Sequence, residues 1–157
     1  MSKTTQATLA LSRAGIAFTP HVYEYDPNAE SIGMAAAAAV GFEPARVLKT
    51  LMVIVDGKPA CCVVPSDHEL SMKKVAHAFG GKSAEMMKPA EAEKVTGYRV
   101  GGISPFGQRK RAPTAIEESA LSFETVLING GQRGMLLELT PADAVKATTA
   151  KAATLTA

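Results

Sequence analysis

Tryptophan is absent, aromatic residues make up 5% of the 157, and cysteine occurs twice. Cys61 and Cys62 are adjacent, so they cannot build a disulfide framework; inside an apolar run they read as small core hydrophobes of a reducing compartment. Long hydrophobic runs are also missing. The longest candidate, Ala35–Val40, falls far below the roughly 18 residues a membrane span needs. No apolar stretch follows Met1-Ser2-Lys3-Thr4-Thr5, so no signal peptide is expected, and the expected location is cytoplasmic with no membrane partner. Charge of one sign is lacking as well: 17 Lys and Arg face 15 Asp and Glu, a net +2. That balance excludes a densely basic nucleic-acid binder but leaves room for a local basic patch. His21, His68 and His77 have no metal-ligand spacing, and no Gly-x-Ser-x-Gly elbow occurs, so neither a metal nor an organic cofactor is expected.

What is present suits one globular domain, 1–157, with its core over about 4–150. Hydrophobic residues are 46%, of which 27 positions are alanine, so the core is built from many small side chains. The pattern predicts a helix from Thr4 to about Ala14 and a strand over Phe18–Tyr25, with Pro20 marking an edge position. An alanine helix follows between Ser31 and Gly41. Val47–Asp56 and Pro59–Pro65 read as a hairpin about Asp56-Gly57. Further helices are expected over Met72–Phe79, from Pro89, and after Thr140-Pro141-Ala142-Asp143; short strands are expected near Ala84–Met87, Thr114–Glu117, Thr125–Asn129 and Met135–Leu139. The tail beyond Lys151 is expected to fray. Hairpins too short for crossovers among interleaved helices predict an α+β (mixed α/β) fold with a largely antiparallel, barrel-like mixed sheet surrounded by helices.

Three places carry residues capable of chemistry. Period-2 alternation in Val47-Leu48-Lys49-Thr50-Leu51-Met52-Val53-Ile54-Val55 puts Lys49 on the face of Val47, Leu51, Val53 and Val55. A lysine there is an edge gatekeeper or a snorkelling surface residue, or it is a cleft lysine that binds an anion or polarises a carbonyl. Thr50, on the opposite face, can contribute through its backbone. The loop Gly101-Gly102-Ile103-Ser104-Pro105-Phe106-Gly107-Gln108 is either a plain turn or a nest of amides that approaches a ligand closely. Arg109-Lys110-Arg111 follows at once, as a solvated face or a phosphate contact. Asn129-Gly130-Gly131-Gln132-Arg133-Gly134 is mostly turn chemistry, from which Arg133 can reach a phosphate or carboxylate.

These segments occur in a known order: Phe18 through His21-Val22-Tyr23-Glu24-Tyr25-Asp26, then Val47-Leu48-Lys49-Thr50-Leu51, then Thr96-Gly97-Tyr98-Arg99-Val100-Gly101-Gly102-Ile103-Ser104-Pro105-Phe106-Gly107-Gln108, then Gly130-Gly131-Gln132-Arg133-Gly134. In this the chain resembles the YbaK/EbsC family, free-standing relatives of the editing domain inserted in bacterial prolyl-tRNA synthetase. The resemblance implies a Cys-tRNA(Pro) deacylase acting in trans, in which the substrate's own thiol attacks its ester carbonyl, so that the enzyme needs no nucleophile. It implies that Lys49 approaches the CCA end or the substrate amine and that Tyr23 lines the pocket. Thr50 and the amides around Gly101 would position the ester carbonyl, with Gly102, Ile103, Ser104, Pro105, Asn129, Gly130, Gly131 and Arg133 around the substrate. Arg109, Lys110 and Arg111 would meet the acceptor stem, and prolyl-tRNA synthetase is an implied partner. The chain departs from the cysteinyl pattern twice: Asn129 stands where a serine precedes the Gly-Gly turn, and Leu136 where an aspartate follows Arg-Gly. The alternatives are a deacylase for another misacylated tRNA, carrying alanine or serine, and a non-catalytic module that binds tRNA or a synthetase.

Overall fold

The computed structural model describes residues 4–157. Helix α1, Gln6–Arg13, starts where the Thr5 hydroxyl accepts from the Thr8 N–H and Thr8 reciprocates to the Thr5 N–H, a capping box. Strand β1 is Thr19–Val22, shorter than the sequence suggested at both ends. Helix α2, Ile32–Val40, is capped by Ser31 and stops at Gly41, whose φ of 78° is open to glycine. A 3-10 turn, Pro44–Arg46, leads into β2, Val47–Val55, and then β3, Lys58–Pro65. Asp56 and Gly57 both take positive φ, 49° and 82°, as a type I′ hairpin turn requires. Next come α3 (Met72–Ala78), β4 (Ala84–Met86) and α4 (Pro89–Thr96), then β5 (Thr114–Glu117), β6 (Val126–Asn129) and β7 (Met135–Leu139). Helix α5, Pro141–Thr148, and β8, Lys151–Ala153, complete the chain.

All eight strands join one mixed sheet in the order β1-β7-β6-β2-β3-β5-β8, with β4 paired to β2 off this path. Antiparallel register dominates, as expected, but β2 with β6, β3 with β5 and β5 with β8 run parallel. Pro20 does mark an edge, since β1 ends the sheet. Alternation along β2 divides the core. Leu48 and Met52 join Leu11, Phe106 and Leu137 in the largest cluster, while Val53 and Val55 pack with Val75 and Leu155 in a second. Val47 packs under α2 with Ala36, Ala37 and Leu136.

The tail does not fray. Strand β8 pairs with β5, Leu155 is fully buried, and the carboxylate of buried Glu117 accepts from the N–H groups of Leu155 (3.0 Å) and Thr156 (2.8 Å). One apolar residue in a run of alanine and threonine is a faint signal, and the carboxylate that holds it lies 38 residues upstream.

Candidate active site

The sheet opens beside Lys49. One edge of β2 pairs with β3 from Leu48 to Val55. On its other edge β6 covers only Val47 and Leu48, and β4 covers only Val53 to Val55. The Met52 carbonyl on this edge still accepts from the Met87 N–H at 3.1 Å, but Lys49–Leu51 have no ladder partner there among the described residues, and here a cleft of about 360 Å³ opens. Its floor is Val47–Met52, and the start of α2 (Ile32, Gly33, Ala36) with Tyr23 forms one wall. Met86, Met87, Pro89 and Ala92 form the facing wall with Val100, Gly101 and Ile103, while Asn129 and Leu136 close the end.

Lys49 therefore sits on the cleft floor rather than at a sheet edge facing bulk water. Burial lowers its pKa, and Glu69 and Asp67 offset part of that; no ion pair of Lys49 occurs among the described residues. Beside it, the Thr50 hydroxyl oxygen is buried and has no hydrogen-bond partner. A buried hydroxyl without a partner costs free energy unless a polar group is brought against it. Tyr23 lines the wall with its phenol pKa raised by burial, against a lowering contact from the Gly134 backbone.

Asn129 ties two glycine loops together. Its Nδ2 donates to the Gly101 carbonyl at 3.2 Å, and its Oδ1 accepts from the Gly131 N–H at 2.8 Å. Gly101 has a φ of 91°, and a Cβ there would collide with the Tyr25 hydroxyl. A Cβ on Gly102 would lie 2.9 Å from the Arg133 backbone nitrogen. Without a Cβ, Gly102 lets its backbone touch that of Gln132 and Arg133, and Gly101 leaves room for the Tyr25 side chain.

The expected residues divide in two. Tyr23, Lys49, Thr50, Gly101, Ile103 and Asn129 line the cleft. Gly102, Gly130 and Gly131 stand behind it as packing between loops; Gly130 O accepts from the Thr5 hydroxyl and Gly131 lies against Tyr98. Ser104 is fully buried and its hydroxyl accepts from the Phe106 N–H at 3.2 Å, so it and buried Pro105 shape the loop without lining the cleft. Arg133 donates through Nε to the Val100 carbonyl at 2.9 Å and stacks 5.1 Å over Tyr25. Of the basic run, Arg109 packs over Gly97 and Arg111 donates to the Thr149 hydroxyl at 2.6 Å; Lys110 is exposed, and none of the three lines the cleft.

Sequence reasoning missed the α2 start, Ser66 and the methionines. Ser66 is 4% exposed, donates to the Val47 carbonyl, and fills the space that Gly33 leaves by having no side chain. The Ser31–Gly33 cap and the Met86-Met87 pair were the available signals. No His, Cys, Asp or Glu lines the cleft among the described residues. Cys61 and Cys62 are buried elsewhere, their thiols pushed up to about 12 by desolvation. No group of three or more His, Cys, Asp or Glu side chains able to hold a metal ion occurs among the described residues, and no described helix is long and apolar enough to cross a membrane.

Comparison with known proteins gives this arrangement a family. A protein of Enterococcus faecalis provisionally named Cys-tRNA(Pro)/Cys-tRNA(Cys) deacylase EbsC is 38% identical over 115 residues, covering 73% of this chain and 68% of that one. The proline--tRNA ligase of Acidithiobacillus ferrooxidans is 32% identical over 85 residues, 54% of this chain and 15% of the ligase, so the match takes in a small part of that enzyme. A crystal structure described as a provisional trans-editing enzyme for prolyl tRNA synthetase superposes with a TM-score of 0.84 at 24% identity, covering 100% of this chain and 98% of that one; it shares the fold. The profile of the aminoacyl-tRNA editing domain matches residues 26–147, and with the cleft that these residues build, the chain belongs to the aminoacyl-tRNA editing domain family.

Proposed function

We propose that the protein is a trans-editing deacylase that clears mischarged Cys-tRNA(Pro) by letting the substrate's thiol attack its own ester. The observation that carries this reading is a cleft lined by Lys49 and Thr50 along the unpaired stretch of β2, with no His, Cys, Asp or Glu among the described residues that line it. Such a cleft polarises and positions, and the nucleophile comes with the substrate. The cysteinyl sulfur bonds the ester carbonyl carbon and its thiol proton leaves. The bond from that carbon to the ribose oxygen breaks, the ribose hydroxyl takes up a proton, and a thiolactone departs. Thr50 and the backbone around Gly101 would hold the carbonyl, and Lys49 would stabilise the oxygen on which charge develops. Well-oriented intramolecular attack supplies roughly 7–11 kcal/mol of a barrier, so proximity does most of the chemistry. Free tRNA(Pro) is the product. Affinity for the rest of the tRNA would come from Arg109–Arg111 and from prolyl-tRNA synthetase, in the cytoplasm.

The need for such an enzyme is physical. Cysteine and proline are close in size, and a synthetase pocket gains only about 1–3 kcal/mol from a methylene-scale difference. A second reading is favoured by Leu136, which lines the cleft at 3% exposure. With an apolar residue at that position, the pocket suits alanine, cleared by water or by the terminal ribose hydroxyl.

Incubation with Cys-tRNA(Pro), Ala-tRNA(Pro) and Ser-tRNA separates these readings. Selective loss of the cysteinyl ester supports the first, and selective loss of the alanyl ester supports the second. No loss of any leaves a binding module. If S-blocked Cys-tRNA(Pro) is cleared as fast as the free thiol form, cyclisation is wrong.

A further inference from the structure

Among the large apolar side chains that the described residues leave exposed, two line the cleft: Met86, 48% exposed, and Val100, 38% exposed. Both belong to the same wall. Met86 ends β4 and leads through Met87 to Pro89, the first residue of α4. Val100 lies beyond the other end of α4, and its N–H donates to the Glu93 carboxylate at 2.9 Å. Pro89 and Ala92 of the same helix fill the wall between them. This wall is therefore apolar from floor to rim and held as one unit. The facing wall begins with the Ser31 hydroxyl at the cap of α2. Apolar side chains left in water at the mouth of a cleft mark a surface that an apolar ligand face covers.

We propose that the Met86–Val100 wall seats the base of the terminal nucleotide, the adenine of the CCA end. This rests on the deacylase reading and extends it from the acyl group to the nucleoside. Acyl group, ribose and base are one covalent unit, so an ester held at Lys49 and Thr50 brings its nucleoside to the cleft mouth. Ribose and phosphate are polar. The base alone presents a broad apolar face, and a terminal base is unpaired and free to be splayed out. Unpaired ends are recognised by laying such faces on flat, apolar or aromatic side chains. Methionine suits the task because its flexible, polarisable thioether adapts to a ring. The side chains make no hydrogen bond to the base edge, so the wall grips a base without reading it strongly.

The test removes the contact from each side in turn. The protein-side change is the double variant Met86→Ser/Val100→Ser; the substrate-side change is a Cys-tRNA(Pro) whose terminal nucleotide lacks its base. Each change alone raises KM about tenfold with kcat held within about twofold, and the two together cost little more than either. Penalties that multiply to about a hundredfold, or an abasic substrate cleared as well as the intact one, overturn the proposal. Intact tRNA ending in CCC, cleared within about threefold of CCA, is the expected sign of a face contact; a larger preference argues for edge recognition and against it. If the wild-type protein clears no aminoacyl-tRNA, the deacylase reading fails, and the base site is then tested by itself through calorimetry. The stable amide between cysteine and 3′-amino-3′-deoxyadenosine should then bind about tenfold more tightly than its counterpart without the base, and equal binding overturns the base site.

Discussion

The side chain of Asn129 spans the space between two backbones, donating to the Gly101 carbonyl while accepting from the Gly131 N–H. One residue at the end of β6 therefore sets where a cleft-lining glycine sits. Asn129→Leu leaves a carbonyl and an amide unpaired in a site where Asn129 itself is 9% exposed. The expected cost is about 2 kcal/mol, or roughly 4–8 °C in Tm, and deacylation should fall further than stability because Gly101 moves. Thermal melts beside initial rates check both.

Lys49 separates function from stability. Lys49→Ala should abolish deacylation with little loss in Tm. Burial depresses the Lys49 pKa in the fold, so the unfolded chain binds the proton more tightly. Its contribution to stability is unfavourable at neutral pH and is relieved as pH rises toward the unfolded lysine value near 10.4. Lys49→Met should thus melt no lower than wild type at pH 7. Its margin over wild type should shrink as melts are repeated up to pH 10. A margin that grows with pH, or a collapse at pH 7, would show that the lysine is a structural support.

Gly102→Ala offers a harsher perturbation one residue from the cleft. The new methyl would meet the Arg133 nitrogen and the Gln132 carbonyl carbon, both at 2.9 Å, and these are backbone atoms with nowhere to go. The two loops must part. Deacylation should drop by about a hundredfold or more, with a Tm loss of roughly 2–12 °C from a clash costing about 1–3 kcal/mol.

At the far end of the chain, Glu117→Gln weakens the bonds to the Leu155 and Thr156 N–H groups, and Leu155→Ala empties its place in the second cluster. The second change should cost about 2–5 kcal/mol and the first about 1–2 kcal/mol. Both variants should lower Tm, and amide exchange over residues 151–157 should quicken before that of β2.

The basic run can be weighed by salt. Replacing Arg109, Lys110 and Arg111 with alanine should weaken tRNA binding and flatten the slope of log affinity against log salt by about 2–3. Clearance of a short aminoacyl-CCA fragment should be unchanged. An unaltered slope would make the run a solvated face, with Arg111 serving only its bond to Thr149.

Much of this was readable from residues close together in sequence. Asp56-Gly57 announced the hairpin because only a few residue types accept two successive positive φ angles, and Ser31 and Thr140 announced helix starts because their hydroxyls cap them. Lys49 stood out as a charge in an apolar strand. The cleft itself was not readable. It depends on where β6 and β4 stop along β2, and the β2 register with β6 joins Val47 to Leu127 across 80 positions. Nor does sequence distinguish Gly101, which lines the cleft, from Ser104, which turns inward three residues later.

The opening in the sheet has a consequence for how this site can change. Two neighbouring strands that end early create it, and side-chain volume does not. Exchanging Leu136 or Met86 alters the lining of the cavity while the unpaired stretch of β2, with Lys49 and Thr50, stays in place. A lineage carrying this sheet can reshape the cavity by swapping wall residues one at a time, never dismantling its floor.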